Sequence, residues 1–514
     1  MLRYKKSVCL IVNTLLSVNL AYAQSFESDT TTRSFNTTPL IEASLELQGI
    51  ATSNKTTPFW LRANKFGSTP LNGYSAGWIA RLAKNYQPSR ENKFFDWAAA
   101  AESRVNLGNK AEVILIEAYA KAKLGIFELK AGRSKDIMGL VDTTLSTGAF
   151  SMSGNALGIP KVQVSIPEYW PIPILGGVIA IQGQFAYGWF GRTPIAPNPG
   201  GGGIPNTPPV VSYFQQKSLY ARFGKPNWRL KVYGGINHQS IYGSEQKIFR
   251  NFNLTKFESF LYAFTGKTWS SNSGFLTKLG NHIGSVDLGF TYDLDAVKVF
   301  VYRQQFYDVG ALGHLANIRD GLNGISIQNK KSGNTGWSKI LFEFLYTKNQ
   351  AGELWSPFTP SGDESYYNNS MYTSGWSYNA HGIGNPFLTP RHEARSNLRY
   401  KVHEYFVNNR VVAFHTGIEG KVNKTRVITK LSYSRNFGTY GTSSIGSTLG
   451  GKRNVLPPPY FEQVNQFSGY LELNRSLANN WQIGLATAFD SGKLLYNSYG
   501  LLVSAKKTFS FPRN

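Results

Sequence analysis

Hydrophobic and polar residues alternate along much of this chain of 514 residues. From Phe95 to Leu107, apolar positions that begin with Phe and Trp alternate with positions that hold Asp, Glu, Arg and Asn. Because successive side chains of a strand point to opposite faces, this period predicts strands with one apolar and one polar face. The same pattern recurs in five further segments, 41–48, 228–237, 285–294, 481–490 and 499–511.

The length and the ends of these runs distinguish a membrane barrel from a soluble β-sandwich. A sandwich also alternates, but its strands are mostly shorter and do not concentrate Trp, Tyr and Phe at their ends. Runs of about 9 to 11 residues with aromatic ends are typical of transmembrane β-barrels. Roughly sixteen such runs, together with the even strand numbers of bacterial barrels, predict an all-β fold, a transmembrane antiparallel β-barrel of about 16–18 strands.

Other segments cannot lie within a ladder of strands. Residues 198–209 are rich in Pro and Gly, 438–451 in Gly, Ser and Thr, and 457–459 are three prolines. Helical spacing occurs twice, at Leu254, Phe257, Leu261 and Phe264 and at Leu312, Leu315 and Ile318. We therefore expect two short helices, in the lumen or on the periplasmic side, and long loops that partly fill the lumen.

The N-terminus has the order of a secretory signal peptide. Basic residues at positions 3, 5 and 6 precede an apolar stretch, and Ala21-Tyr22-Ala23 supplies a small-x-small cleavage site before Gln24. A short buried helix is the alternative reading of this stretch. We predict a signal peptide over residues 1–23, removed after Ala23, and a barrel over residues 24–514 in the outer membrane of a Gram-negative bacterium.

Composition narrows the chemistry of the exported chain. The only cysteine, Cys9, lies in the predicted signal peptide, so disulfides, Cys-metal sites and Cys nucleophiles are excluded from the remainder. Removal of the three basic residues of that peptide lowers the formal charge from +24 to +21. Such an excess of positive charge favours an anionic partner, namely lipopolysaccharide phosphates, acidic capsule or permeating anions. Export from the cytoplasm argues against nucleic acid as that partner.

Six segments have an order and spacing that are specific to one family. They are Leu145–Pro173, which begins LSTGAFSMSG, His282–Leu294, Val299–Asp308, Ile318–Ile327, Ile340–Lys348 and Gly375–Pro390. Together they resemble the capsule assembly family named Wzi. The resemblance implies an outer-membrane barrel of about eighteen strands that helps to hold capsular polysaccharide on the cell surface as a lectin-like binder.

Aromatic residues are concentrated in a long segment without alternation, residues 351–396. The C–H faces of sugar rings stack on Trp and Tyr, and sugar carboxylates suit the guanidinium of Arg. We therefore predict a polysaccharide-binding site formed by Trp355, Tyr366, Tyr367, Trp376, Tyr378, Arg391 and Arg395. Alternatively, these rings belong to an aromatic girdle at the lipid headgroups or pack the loop against itself.

Motifs for catalysis or metal binding are weak. Gly266-Lys267-Thr268 lacks the first glycine of a phosphate loop, and His392-Glu393 and His403-Glu404 lack the second His of a zinc peptidase. A Ser-His-acid triad assembled in space from scattered histidines is the alternative, but a lone strand histidine is more often a hydrogen-bonding group in the lumen. We predict no enzyme activity, no cofactor and no metal site.

Two functions from different classes remain. The first is a lectin-like protein that assembles or anchors capsular or other surface polysaccharide, with outer-membrane lipid, lipopolysaccharide and other polysaccharide export proteins as further partners. The second is a diffusion channel for anionic or oligosaccharide solutes. Large side chains and long Gly- and Pro-rich segments that can fold into the lumen favour the first.

Overall fold

Eighteen antiparallel strands form one closed sheet, so the predicted fold class is confirmed. The computed structural model describes residues 40–87, 94–196, 209–249, 252–270, 276–331, 333, 335–449 and 451–511, and the predicted signal peptide lies outside them. The barrel strands are β1 (Ile41–Thr52), β2 (Ser75–Lys84), β3 (Phe95–Leu107), β4 (Glu112–Leu124), β5 (Phe127–Arg133), β6 (Lys161–Pro171), β7 (Ile179–Thr193), β8 (Val210–Phe223), β9 (Leu230–Tyr242), β10 (Asn281–Asp293), β11 (Val297–Tyr307), β12 (Gly321–Asn329), β13 (Thr335–Tyr346), β14 (Val411–Val422), β15 (Thr425–Asn436), β16 (Val464–Ser476), β17 (Trp481–Gly492) and β18 (Ser498–Phe511).

Each strand pairs with its neighbours in sequence, and the barrel closes between the first and the last strand. Ile41 of β1 lies opposite Phe511 of β18, and Thr52 lies opposite Gly500. Closure of the sheet leaves no strand edge with unpaired backbone N–H and C=O groups. A sheet that spans a bilayer must meet this condition, because the hydrocarbon core offers no hydrogen-bond partners.

The two ends of the barrel differ in the length of their connections. Eight short connections join strands at one end, which we term the turn end: 85–94, 125–126, 172–178, 224–229, 294–296, 330–334, 423–424 and 477–480, of which residues 88–93, 332 and 334 lie outside the described residues. The opposite, loop end carries the long connections, among them 53–74, 134–160, 243–280, 347–410 and 437–463. This asymmetry is typical of outer-membrane barrels.

Side chains alternate between the outer wall and the lumen as the sequence predicts. In β3, Phe95 and Trp97 are about half exposed on the outer wall, whereas Asp96, Glu102 and Arg104 are buried on the lumen side. Apolar residues thus face outward and polar residues face inward, the reverse of a soluble barrel.

Among the described residues, the connections contain three short α-helices: α1 (Phe59–Arg62), α2 (Glu245–Ile248) and α3 (Lys256–Thr265). No helix among the described residues is both long and apolar enough to cross a membrane. Helix α1 lies in the lumen, where the Trp60 Nε1–H donates to Ser432 Oγ of β15 at 3.1 Å. The first helical spacing in the sequence therefore corresponds to α3, whereas the second gives only a 3-10 turn, Ala311–His314.

Helix α3 lies outside the barrel, so the expected position in the lumen or on the periplasmic side is wrong for this helix. Its Phe264 ring contacts Phe185 of β7, with 5.7 Å between centroids, and Lys217 Nζ of β8 lies 4.1 Å from the same ring. Phe185 and Lys217 alternate in phase with outward residues such as Trp189 and Leu219. The helix belongs to a connection of the loop end and covers Phe185 and Lys217 on the outer wall.

Candidate functional site

The lumen is crossed by the connection between β5 and β6, residues 134–160, which we term the inner segment. Its backbone bonds to polar side chains that the strands direct inward. The Leu140 N–H donates to Asp287 Oδ2 of β10 at 2.9 Å, and the Thr147 N–H donates to Glu343 Oε2 of β13 at 2.6 Å. Attachment to separate strands holds the inner segment across the barrel, as the prediction of a partly filled lumen requires.

An ion pair fixes the middle of the inner segment. Asp142 Oδ2 lies 3.0 Å from Lys339 Nζ of β13 and accepts a hydrogen bond from Ser326 Oγ of β12 at 2.9 Å. Burial raises the pKa of Asp142, but the Lys339 ammonium and the N–H groups of Leu145 and Thr144 outweigh it and lower the pKa to about 2. The carboxylate is therefore ionised at neutral pH and ties the segment to two strands.

The longest connection, residues 347–410, lies above the inner segment, and we term it the outer loop. Its start is held by Asp320, whose carboxylate accepts from the N–H groups of Asn349 and Gln350 at 2.9 and 2.7 Å and from the Tyr366 hydroxyl at 2.7 Å. Burial raises the pKa of Asp320 to about 7, while these donors act in the opposite direction. The base of the outer loop is thus fixed to the connection between β11 and β12.

Three of the predicted site residues, Tyr366, Tyr367 and Trp376, are completely buried. The Trp376 Nε1–H donates to the Ser151 carbonyl of the inner segment at 2.7 Å, and the Tyr367 hydroxyl donates to the Phe150 carbonyl. Their rings offer no exposed face to a sugar in this conformation. They join the outer loop to the inner segment, which is the packing role that the sequence left open as the alternative.

Trp355, by contrast, lies on the surface of the outer loop and is 49% exposed. The Arg319 guanidinium, from the connection between β11 and β12, lies 3.9 Å from the Trp355 ring centroid. No carboxylate of the described residues forms an ion pair with Arg319. Tyr378 is half-buried, and its hydroxyl accepts a hydrogen bond from Arg133 at 3.2 Å.

The predicted arginines each stack on an exposed tyrosine. Arg391 lies 4.8 Å from the ring centroid of Tyr400, and Arg395 lies 5.5 Å from that of Tyr496 in the connection between β17 and β18. Both tyrosines are 39% exposed. Arg395 donates to the Leu495 carbonyl at 2.9 Å, which fixes its guanidinium, whereas Arg391 has no ion-pair partner among the residues that the structure describes.

We term these three pairs the arginine–aromatic rim; its members are Arg319, Trp355, Arg391, Tyr400, Arg395 and Tyr496. All six lie in connections at the loop end. Sequence reasoning missed Arg319, Tyr400 and Tyr496 because two of the three pairs join different connections of the barrel. A usable signal was the interruption of alternation after Gly492, which places Tyr496 in a turn before the last strand.

The rim is suited to recognition of sugar rings and anionic groups. Exposed Trp and Tyr faces pack on apolar C–H groups, and a guanidinium can donate two parallel hydrogen bonds to a carboxylate. In the part of the chain that the structure describes, no three His, Cys, Asp or Glu side chains are placed to hold a metal ion.

No protein-family model matches the chain, and no curated protein sequence does either. Among solved structures, the chain is similar to Wzi of Escherichia coli, an outer-membrane protein involved in group 1 capsule assembly and described as a carbohydrate-binding β-barrel. The TM-score is 0.52 at 12% sequence identity, and the match covers 91% of this chain and 85% of the other. OccK3 (OpdO) and OpdQ of Pseudomonas aeruginosa each match with a TM-score of 0.41 and 10% identity, over 91% of this chain and 95% and 97% of theirs. The likeness to Wzi, at this identity, shows the fold, an outer-membrane type of β-barrel.

Proposed function

We propose that this protein is an outer-membrane, lectin-like binder that holds capsular or other surface polysaccharide at the loop end of its barrel. The observation that carries the proposal is the arginine–aromatic rim, in which exposed rings stack against guanidinium groups. Wzi of Escherichia coli, which has the same kind of barrel, is a carbohydrate-binding protein of capsule assembly. We extend that role, as a hypothesis, to this chain.

The proposal includes an orientation and a location. In outer-membrane barrels the short turns face the periplasm and the long connections face outward. With this orientation the rim lies on the cell surface, and the formal charge of +21 that remains without residues 1–23 suits both lipopolysaccharide phosphates and an acidic polysaccharide. Export through a signal peptide over residues 1–23 belongs to the same proposal.

The contents of the lumen favour a binder over a diffusion channel. The inner segment and the base of the outer loop occupy the lumen and are bonded to strands on several sides. We therefore expect no stable high conductance when the purified chain is inserted into planar bilayers. Steady open-channel currents from wild-type protein would favour the channel instead.

Two neighbouring exposed rings provide the main test of the rim. Trp355 stacks on Arg319, whereas Phe358 of the same loop is 69% exposed and no Arg or Lys of the described residues lies over its ring. We expect Trp355→Ala to weaken binding of an acidic capsular polysaccharide by about tenfold. The variant loses both the ring on which a sugar stacks and the cation–π contact that positions the Arg319 guanidinium.

Phe358→Ala is the matched control, since it removes similar apolar surface without a cation. Binding is measured by biolayer interferometry with full-length protein in detergent, and folding is followed by heat-modifiable gel migration. Equal losses for the two variants, or no loss for Trp355→Ala, would contradict a role for the rim.

The cellular role has its own test. A deletion strain is expected to release polysaccharide from the cell surface into the medium, and the wild-type gene is expected to restore attachment. If the strain keeps all its cell-associated polysaccharide and sheds none, anchoring is refuted even where binding in solution holds.

Binding without a covalent step is part of the proposal, as is docking of other polysaccharide export proteins at the turn end. Prolonged incubation of purified polysaccharide with the protein is expected to leave its chain length unchanged in size-exclusion chromatography. Depolymerisation that requires the intact chain would replace the lectin role with an enzymatic one.

A further inference from the structure

A cavity of about 200 Å³ lies in the lumen between the inner segment and the inner wall of β15 and β16. Its charged lining includes Lys65, Arg426, Lys430 and Glu472. Arg426 lies close to the turn at 423–424, and the Lys65 side chain is 43% exposed. The cavity therefore belongs to the turn-end half of the barrel, on the side opposite the arginine–aromatic rim.

The cations of this cavity have spare hydrogen-bond donors. No carboxylate of the described residues lies within ion-pair distance of Lys430 Nζ, which instead lies 4.6 Å from the ring centroid of Trp60. Arg426 uses its Nε–H to bond Glu419 Oε1 at 2.7 Å, which leaves its two terminal nitrogens for another acceptor. Lys65 Nζ reaches Glu472 only at 4.0 Å.

The acidic groups of the cavity, in contrast, are already occupied. Asp142 is paired with Lys339 outside the cavity lining, as described above. Glu472 accepts hydrogen bonds from the Tyr470 hydroxyl and the Asn474 amide. The carboxylates of the cavity already have hydrogen-bond or ion-pair partners, whereas Lys430 and Arg426 have donors that are not used. The cavity therefore favours binding of an anion.

Asn64 adds a different requirement. Its Nδ2 donates to the Thr147 carbonyl at 3.0 Å, which orients the amide, while its Oδ1 is buried and has no hydrogen-bond partner among the described residues. Buried acceptors are almost always paired in folded proteins, so this oxygen calls for a donor. A hydroxyl group on the ligand would supply one, whereas a carboxylate would not.

We propose that this cavity binds one sugar unit that bears a carboxylate, such as a hexuronate, and that it does so independently of the rim. The carboxylate pairs with Lys430 and Arg426, and a ring hydroxyl donates to Asn64 Oδ1. The cavity of about 200 Å³ has room for a six-membered sugar ring. Tyr470 and Trp60 supply the apolar part of the wall.

The test is calorimetric titration of full-length protein in detergent micelles with sodium galacturonate. We expect one bound galacturonate per chain. Galactose and inorganic phosphate are each expected to bind at least about tenfold more weakly, because galactose lacks the carboxylate and phosphate lacks the ring hydroxyl. Absence of galacturonate binding to wild-type protein overturns the proposal. Phosphate binding as tight as galacturonate binding overturns the sugar part of it.

Single substitutions inside and outside the cavity test whether galacturonate binds there. Lys430→Met removes the unpaired cation at similar volume and is expected to weaken galacturonate binding by about tenfold or more. Lys424→Met is the matched control, because Lys424 is an exposed lysine of the adjacent turn outside the cavity lining. Equal affinity in Lys430→Met and wild type overturns the proposal, and so does an equal loss in Lys424→Met.

A second variant guards against a folding defect at Lys430. Asn64 has a φ of 57°, a backbone conformation that glycine adopts without strain, so Asn64→Gly removes the unpaired acceptor and the bond of Nδ2 to Thr147 without backbone strain. It is expected to weaken galacturonate binding several-fold, and unchanged binding overturns the assigned hydroxyl contact. A Trp355→Ala, Arg319→Gln double variant is expected to bind galacturonate as wild type does; loss there moves the ligand to the rim and overturns the cavity site.

Discussion

Two parts of the outer loop contain the same residue types and have opposite surroundings. Around Trp355 and Phe358 the rings are exposed at the loop end, whereas Tyr366, Tyr367 and Trp376 are fully buried against the inner segment. A local density of aromatic residues is therefore a poor guide to where a sugar binds. The informative difference is the partner of the two tryptophans, a guanidinium for Trp355 at the surface and a backbone carbonyl for Trp376 in the lumen.

The same contrast holds for charge. In the lumen, Asp142 and Lys339 neutralise each other, and the bond fixes the inner segment. At the rim, Arg319 and Arg391 have no carboxylate partner among the described residues. Removing one partner of a buried pair destabilises the fold because it leaves an uncompensated charge, whereas charges that remain unpaired at the surface are available to a ligand.

The largest expected effect tests the buried half of this comparison. Trp376→Ala removes a completely buried ring and its hydrogen bond to the Ser151 carbonyl. We expect a loss of about 3–5 kcal/mol in the free energy of unfolding, as for other large-to-small changes in cores. Urea titration in lipid vesicles, followed by tryptophan fluorescence, measures it.

Trp355→Ala is the control for that measurement, since an exposed ring is expected to change stability by no more than about 0.5 kcal/mol. If both variants are equally stable, the outer loop is not packed against the inner segment as described, and the comparison fails.

The next effect concerns the buried ion pair. Asp142→Asn removes the charge that Lys339 holds, with an expected loss of about 1–3 kcal/mol at neutral pH. Because the pKa of Asp142 is lowered to about 2, its contribution is present above the unfolded value near 4 and is lost as pH falls from there toward 2.

Proteolysis of the inner segment at a series of pH values tests whether the contribution of Asp142 is lost as pH falls. Wild-type protein is expected to become more susceptible below about pH 4, and Asp142→Asn is expected to show little further change there. A wild-type transition near pH 7 instead would show that another group controls the anchoring.

The smallest effect separates charge from shape at the rim. Arg391→Lys keeps the positive charge but replaces the planar guanidinium that stacks on Tyr400. We expect binding of acidic polysaccharide to weaken about two- to fivefold, measured by biolayer interferometry, with stability unchanged. Full retention would mean that charge alone, without stacking, accounts for the contribution of Arg391.

The strands of the barrel could be predicted from the sequence because the alternation of apolar and polar residues is a local signal. The run from Phe95 to Leu107 predicts a strand with the same bounds as β3, and four apolar residues at helical spacing predict α3. The position of α3 outside the wall was not accessible. It depends on contacts with Phe185 and Lys217, which come from strands far away in sequence.

The candidate site was predicted only in part, for a related reason. Trp355, Arg391 and Arg395 lie in the outer loop, but Arg319 and Tyr496, which contact two of them, lie in other connections. Burial of Trp376 was not readable either, because it depends on the inner segment, which is far from it in the chain. Whether these residues contact sugar stays a prediction.

The seam between β1 and β18 has a consequence for the order of folding. Its register joins Ile41 to Phe511, so the last ladder to form needs residues from both ends of the described chain. Contacts of such sequence separation are slow to form, because the entropy of closing a long loop must be lost before any hydrogen bond is gained. The inner segment follows β5 but is bonded to β10 and β13, strands that come close to it only as the sheet curls. We therefore expect the lumen to fill and the wall to close together, late in folding, because a half-built barrel exposes both its strand edges and its polar interior.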